Sequence, residues 1–110
     1  MPFEEREHGG RWYAVQFTYA LPDDAWRVEL SEMVPVPEWG ADARIPGQDF
    51  MAALVPDEDP SREPEVHVHS PDGRAVPYEI VCWFMDHVAD EVARCRTALE
   101  QAAAGGGPGE

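Results

Sequence analysis

The chain has no lysine and no asparagine, only two cysteines, and no apolar run near the ~20 residues that span a bilayer. Each absence removes a class of function. Without lysine there is no Schiff-base chemistry, no lysine-dependent phosphate loop and no lysine general base. Without asparagine there is no N-glycosylation sequon. The segment "MPFEEREHGG" is acidic and has no apolar core, so it does not read as a secretory leader. The expectation is a soluble, cytoplasmic protein. Arginine supplies every basic side chain, and with abundant Ala, Gly and Pro this fits the coding bias of a GC-rich bacterial genome.

Positive charge is also scarce. Twenty-two acidic against eight basic residues give a formal charge of -14. Such a surface repels phosphate backbones and anionic lipid, which argues against direct nucleic-acid or membrane binding. It suits solubility, or attraction to a basic protein partner, of which mimicry of a polyanion is the extreme form. Cys82 and Cys95 lie thirteen positions apart in a helical stretch, about 19 Å along the axis and on different faces. They are expected as free thiols.

At 110 residues the chain allows one domain. Residues 1–10 and the glycine-rich 104–110 have too few apolar side chains to offset ordering entropy, and read as mobile tails around a domain over 11–103. Within it, Arg11–Ala20 alternates, with Tyr13, Val15, Phe17 and Tyr19 on one face. "LPDD" offers turn chemistry, and Ala25–Glu32 alternates again through Trp26, Val28 and Leu30. The pair predicts an antiparallel hairpin. Met33–Gly47 carries prolines at 35, 37 and 46 and reads as an edge segment or loop, with Trp39 as a plug over one end of the core. Gln48–Val55 fits a strand or a short helix, and a strand is preferred. Pro56–Pro64 is a polar loop, Glu65–Ser70 a strand, and "SPDG" a turn.

From Pro77 onward there is no breaker until the glycines at 105–107. Val81, Met85, Val88, Val92, Cys95, Leu99 and Ala102 recur at steps of four and three, with Ile80 and Phe84 widening the stripe. A helix of this length, about 39 Å for 26 residues, outreaches strands of six to eight residues, and a second copy would cover the overhang. The predicted fold is therefore α+β: three or four mostly antiparallel strands on one long C-terminal helix, assembled as a homodimer through that helix.

Chemistry concentrates in "EVHVHS". As a strand, Glu65, His67 and His69 share one face, a spacing at which two imidazoles reach one metal, with His87 or Asp86 as possible further ligands from the helix. The same strand puts Val66 and Val68 towards the core, so the histidines point away from the helix. An ordinary outer face is the stronger reading. A small metal- or ligand-binding domain, enzyme or not, centred on His67 and His69 is the alternative. Neither cysteine has a base or an electropositive setting. The serines and threonines lack a nucleophile or phosphate-loop context, and no cofactor motif is present. Trp12 and Trp83 fall on faces expected to be outer and, with Trp39, are candidate partner contacts. The balance favours a non-catalytic interaction or regulatory protein.

Overall fold

The computed structural model describes residues 3–69 and 75–105. Its elements in chain order are β1 (Phe3–His8), β2 (Arg11–Ala20), β3 (Ala25–Pro35), β4 (Arg44–Pro56), β5 (Glu65–Val68) and α1 (Tyr78–Gly105), with single 3-10 turns at Leu21–Asp23 and Pro37–Trp39. The strands form one antiparallel sheet in the order β1-β2-β3-β4-β5, a meander in which each strand pairs with its chain neighbour. The fold is α+β as expected, with five strands instead of three or four.

The additional strand is Phe3–His8, read from sequence as part of a mobile tail. It pairs with β2 from Phe3↔Gln16 to His8↔Arg11. Gly9 and Gly10, at φ 59° and 81°, form the two-residue connection. Two successive positive φ values are what a twist-matched hairpin turn requires, and glycine adopts them without steric cost. The strand is held by its ladder and by charged pairs, not by apolar alternation, which is why its pattern resembles a tail. The helix runs two residues past the expected domain end, to Gly105. Residues 106–110 and the expected Ser70–Gly73 turn lie outside the described residues.

Met33–Gly47 is also more regular than its prolines suggested. β3 continues to Pro35 and β4 begins at Arg44, pairing through Met33↔Pro46, Val34↔Ile45 and Pro35↔Arg44. Register shifts between Leu30 and Ser31 and between Ser31 and Met33 give this part of the ladder its own twist. The prolines are tolerated because they fall at strand ends and beyond the bulge, where a missing donor breaks no central ladder. The tip holds Trp39, which is 70% exposed and is not a plug over the core. Its neighbours Pro37 and Gly40 close a turn in which the Gly40 N–H donates to the Pro37 carbonyl.

Tyr13, Val15, Val28, Leu30 and Ala53 of the sheet pack on Ile80, Phe84 and Val88 of α1. The buried helical positions are Ile80, Phe84, Val88, Glu91 and Cys95. That seam lies about one residue to the side of the one the periodicity suggested. Val81, Met85, Val92 and Leu99 are left on its flank, partly covered or exposed. The strands under the helix are longer than the six to eight residues expected, since β2, β3 and β4 have 10, 11 and 13 residues. No helix among the described residues is long and apolar enough to cross a membrane.

The bulged ladder leaves no room at Gly47. A Cβ there would stand 2.9 Å from the Glu32 carbonyl oxygen and 3.2 Å from a Val34 methyl. Gly47→Ala is expected to destabilise by about 1–3 kcal/mol, the usual effect of overpacking. Chemical denaturation measures this, and an unchanged midpoint would mean that the bulge relaxes freely.

Candidate functional site

Two surfaces deserve comparison: the outer face of the sheet, which carries the histidines, and the flank between β5 and α1. The register pairs Glu65 with Leu54 and His67 with Ala52, and the His69 N–H donates to the Phe50 carbonyl, so Glu65, His67 and His69 share the outer face. His67 Nε2 lies 3.3 Å from Glu65 Oε1, and His69 Nε2 lies 3.0 Å from Asp49 Oδ2. Arg27 completes this polar row by donating to Glu29 and, at 3.5 Å, to Asp49 Oδ2. The two imidazoles thus face different carboxylates. Among the described residues no group of three or more His, Cys, Asp or Glu stands close enough to hold a metal ion.

The helix adds nothing to this row, because it covers the opposite face of the sheet. His87 is half-buried there, edge-on to Phe17 at 5.8 Å and to Trp83 at 5.4 Å, with Glu4 Oε1 3.9 Å from its Nε2. Trp83, expected on an outer face, packs at the rim of the core, since it is three residues from Ile80 and adjacent to Phe84. Trp12 is on the outer face as expected, but the Arg44 guanidinium lies 3.8 Å above its ring. Arg44 Nε also donates to Glu5 Oε1 at 3.0 Å. This clasp ties the base of the β3–β4 arm to β1 and β2. Each outer-face candidate is engaged by the protein's own groups, and Trp39 is exposed at the arm tip.

The flank differs in character. A groove of about 430 Å³ runs between β5 and α1, walled by Pro64, Val66, Met85, Val88, Ala89 and Val92. It shares Pro64, Val92 and Arg96 with a pocket of about 230 Å³ that reaches Cys95 and Leu99. Val66 is 41% exposed, Val68 68% and Met85 39%. These three form an apolar strip along one side of the molecule, where a soluble monomer usually places polar groups. The sequence signal for it is the set of heptad-like positions 85, 92 and 99, part of the long apolar stripe of the helix.

Within its seam against the sheet the helix also buries a carboxylate. Glu91 is 6% exposed and is paired with Arg94, whose Nε donates to Oε1 at 3.2 Å and whose Nη2 donates to Oε2. The Cys95 Sγ also lies against Glu91 Oε2 at 3.7 Å. Burial, reinforced by the Glu91 charge, pushes the Cys95 thiol up to about 11. A thiol so placed is a poor nucleophile near neutrality. On another edge, the Tyr19 hydroxyl donates to Asp57 at 3.0 Å and to Glu58 at 3.1 Å, and Arg62 Nη1 donates to the Asp23 carbonyl at 2.6 Å. These bonds fasten the 57–64 loop that forms one wall of the pocket. They also hold the Tyr19 hydroxyl protonated beyond its ordinary range, through burial first and then the two carboxylate bonds.

Comparison with protein-family models, with curated proteins and with solved structures finds no match for this chain.

Both cysteines are free, Cys82 exposed and Cys95 buried. A thiol-specific reagent is expected to modify Cys82 rapidly and Cys95 only on unfolding, giving two well-separated phases in the folded protein. Equal rates would show that α1 opens readily. The Cys95 shift also has a defined sign in stability. Its folded value lies above the unfolded value of 9.0, so its contribution is fully present below about pH 9 and is lost as pH rises towards about 11.

Proposed function

We propose that this chain is a small acidic interaction or regulatory protein with no catalytic step of its own, and that it works by presenting the β5–α1 flank to a protein partner. The observation that carries the reading is the exposed strip of Val66, Val68 and Met85 above the groove. A partner that fills the groove removes apolar area from water at roughly 25 cal/mol per Å². The rim matches a recognition surface in chemistry as well, since Arg62, Glu63, Arg96 and Glu100 ring the adjoining pocket with both signs of charge. The -14 charge adds long-range attraction to a basic partner and repels anionic competitors. The outer-face histidines support a metal-binding reading less well, because each already faces a carboxylate of its own.

The test is a groove variant, Val66→Glu with Met85→Glu. Both positions are substantially exposed, so the unfolding temperature is expected to change by no more than a few degrees. The wild type is expected to associate, with itself or with a captured protein, and the variant to lose at least about tenfold in affinity, equivalent to roughly 1.4 kcal/mol. Association that survives both charges would overturn the reading. In a parallel measurement, Zn²⁺ is expected to leave the unfolding temperature unchanged. A rise that vanishes in His67→Ala with His69→Ala would favour a metal site.

A further inference from the structure

β5 is an edge strand with an ordered set of unused backbone groups. The His69 N–H donates to the Phe50 carbonyl at 2.8 Å, so His69 and Phe50 form a hydrogen-bonded pair. Such pairs alternate along an antiparallel ladder. Glu65, His67 and His69 therefore direct their N–H and C=O groups at β4, and Val66 and Val68 direct theirs at the open edge. Among the described residues nothing pairs with that edge. The opposite edge, β1, carries Glu4, Glu5, Arg6 and Glu7 in succession, a common protection against edge-to-edge pairing. β5 has two valines in place of such charges on the side that faces the helix.

We infer that the occupant of this flank is a second copy of the chain, joined through antiparallel pairing of β5 with its counterpart about a two-fold axis at His67. This rests on the interaction reading above and names its partner. The register follows from the hydrogen-bond parity. Only pairings that set outward-facing residues against each other form bonds. Pairing Val66 with itself would bring Val68 opposite Pro64, which has no N–H. Pairing Val68 with itself would set His67 against His69. Pairing Val66 with Val68 uses both valines of both copies and forms four backbone hydrogen bonds. The same register sets Glu65 opposite His69 of the second copy, and His67 opposite its own equivalent. The stretch Glu65–His69 is thus self-complementary in hydrogen bonding, in apolar contact and in its Glu–His pairs, as an isologous interface requires.

The geometry also accounts for the groove. A two-fold axis normal to the sheet keeps both helices on one face of a continuous ten-stranded sheet. Val66 of each copy then meets Val68 of the other, and the Met85 sides of the two grooves face each other. Two chains of charge -14 repel, so an association driven by backbone pairing and apolar contact gains from screening and tightens with added salt. Capture of a basic partner would weaken with salt instead.

Sedimentation of the full chain provides the test, with two variants. Val68→Pro removes an N–H that β4 does not use. It is expected to keep the circular dichroism of the wild type and to weaken the dimer by about 30-fold or more, the effect of losing two backbone hydrogen bonds per dimer. His67→Cys in a Cys82→Ser background places one thiol from each copy across the axis, and mild oxidation is expected to link the copies into a covalent dimer. If Val68→Pro unfolds, the cross-link decides alone. A wild type that stays monomeric at high micromolar concentration overturns the inference. A dimer that persists in Val68→Pro while His67→Cys stays unlinked also overturns it. In the first case, another protein held in a Met85-dependent way would leave the interaction reading standing. In the second, loss of the dimer in Val66→Glu with Met85→Glu would do so.

Discussion

Five strands spaced about 4.8 Å apart span roughly 19 Å between the outermost two, whereas a single helix covers a width of about 10 Å. The architecture depends on how that mismatch is met. α1 lies over the middle of the sheet, on β2, β3 and β4, and leaves a flank on each side. On the β1 flank the chain places charge: Glu4 faces His87 at 3.9 Å and His8 faces Glu79 at 3.5 Å. On the β5 flank it places Val66 and Val68. One flank is finished with polar groups and the other is left apolar, so the two sides of the molecule differ in chemistry.

The core was legible where one face alternates strongly. Tyr13, Val15, Phe17 and Val28, Leu30 form the β2–β3 pair as their pattern implies, with Val15 opposite Leu30 and Phe17 opposite Val28. Legibility failed where pairing, not burial, creates the strand. Phe3–His8 has four charged residues in its middle, and its ladder depends on a Gly-Gly turn whose meaning emerges only beside β2. The β3–β4 arm failed for a similar reason. Prolines 35 and 46 are breakers in general, but they are harmless at the ends of a bulged ribbon.

The helix shows a different limit. Apolar spacing defined a stripe but not which side of it meets the sheet, because Ile80 and Phe84 on one side and Val81 and Met85 on the other gave a band too wide to orient. The structure turns the helix so that Glu91 enters the seam, which no hydrophobic pattern would propose, and Arg94 compensates it one turn later. Buried ion pairs of this kind are sensitive to losing one partner and comparatively tolerant of losing both. The same rotation accounts for the candidate residues. It draws His87 onto Phe17, packs Trp83 at the core rim and turns Met85 outward, a rotation that spacing along the chain does not encode.

The strand order bears on how the chain reaches this state. A meander asks each strand to close only a short loop before it pairs, and the closure entropy of short loops is small. β1 to β4 can assemble in sequence as they are made, each on an edge already present. The Ile80–Cys95 face that completes the core arrives only with the last quarter of the chain. Until then the Val15, Val28 and Leu30 surface is open to water. A strongly negative chain carries a built-in safeguard for that interval, because like charge keeps half-made copies apart until the helix closes over them.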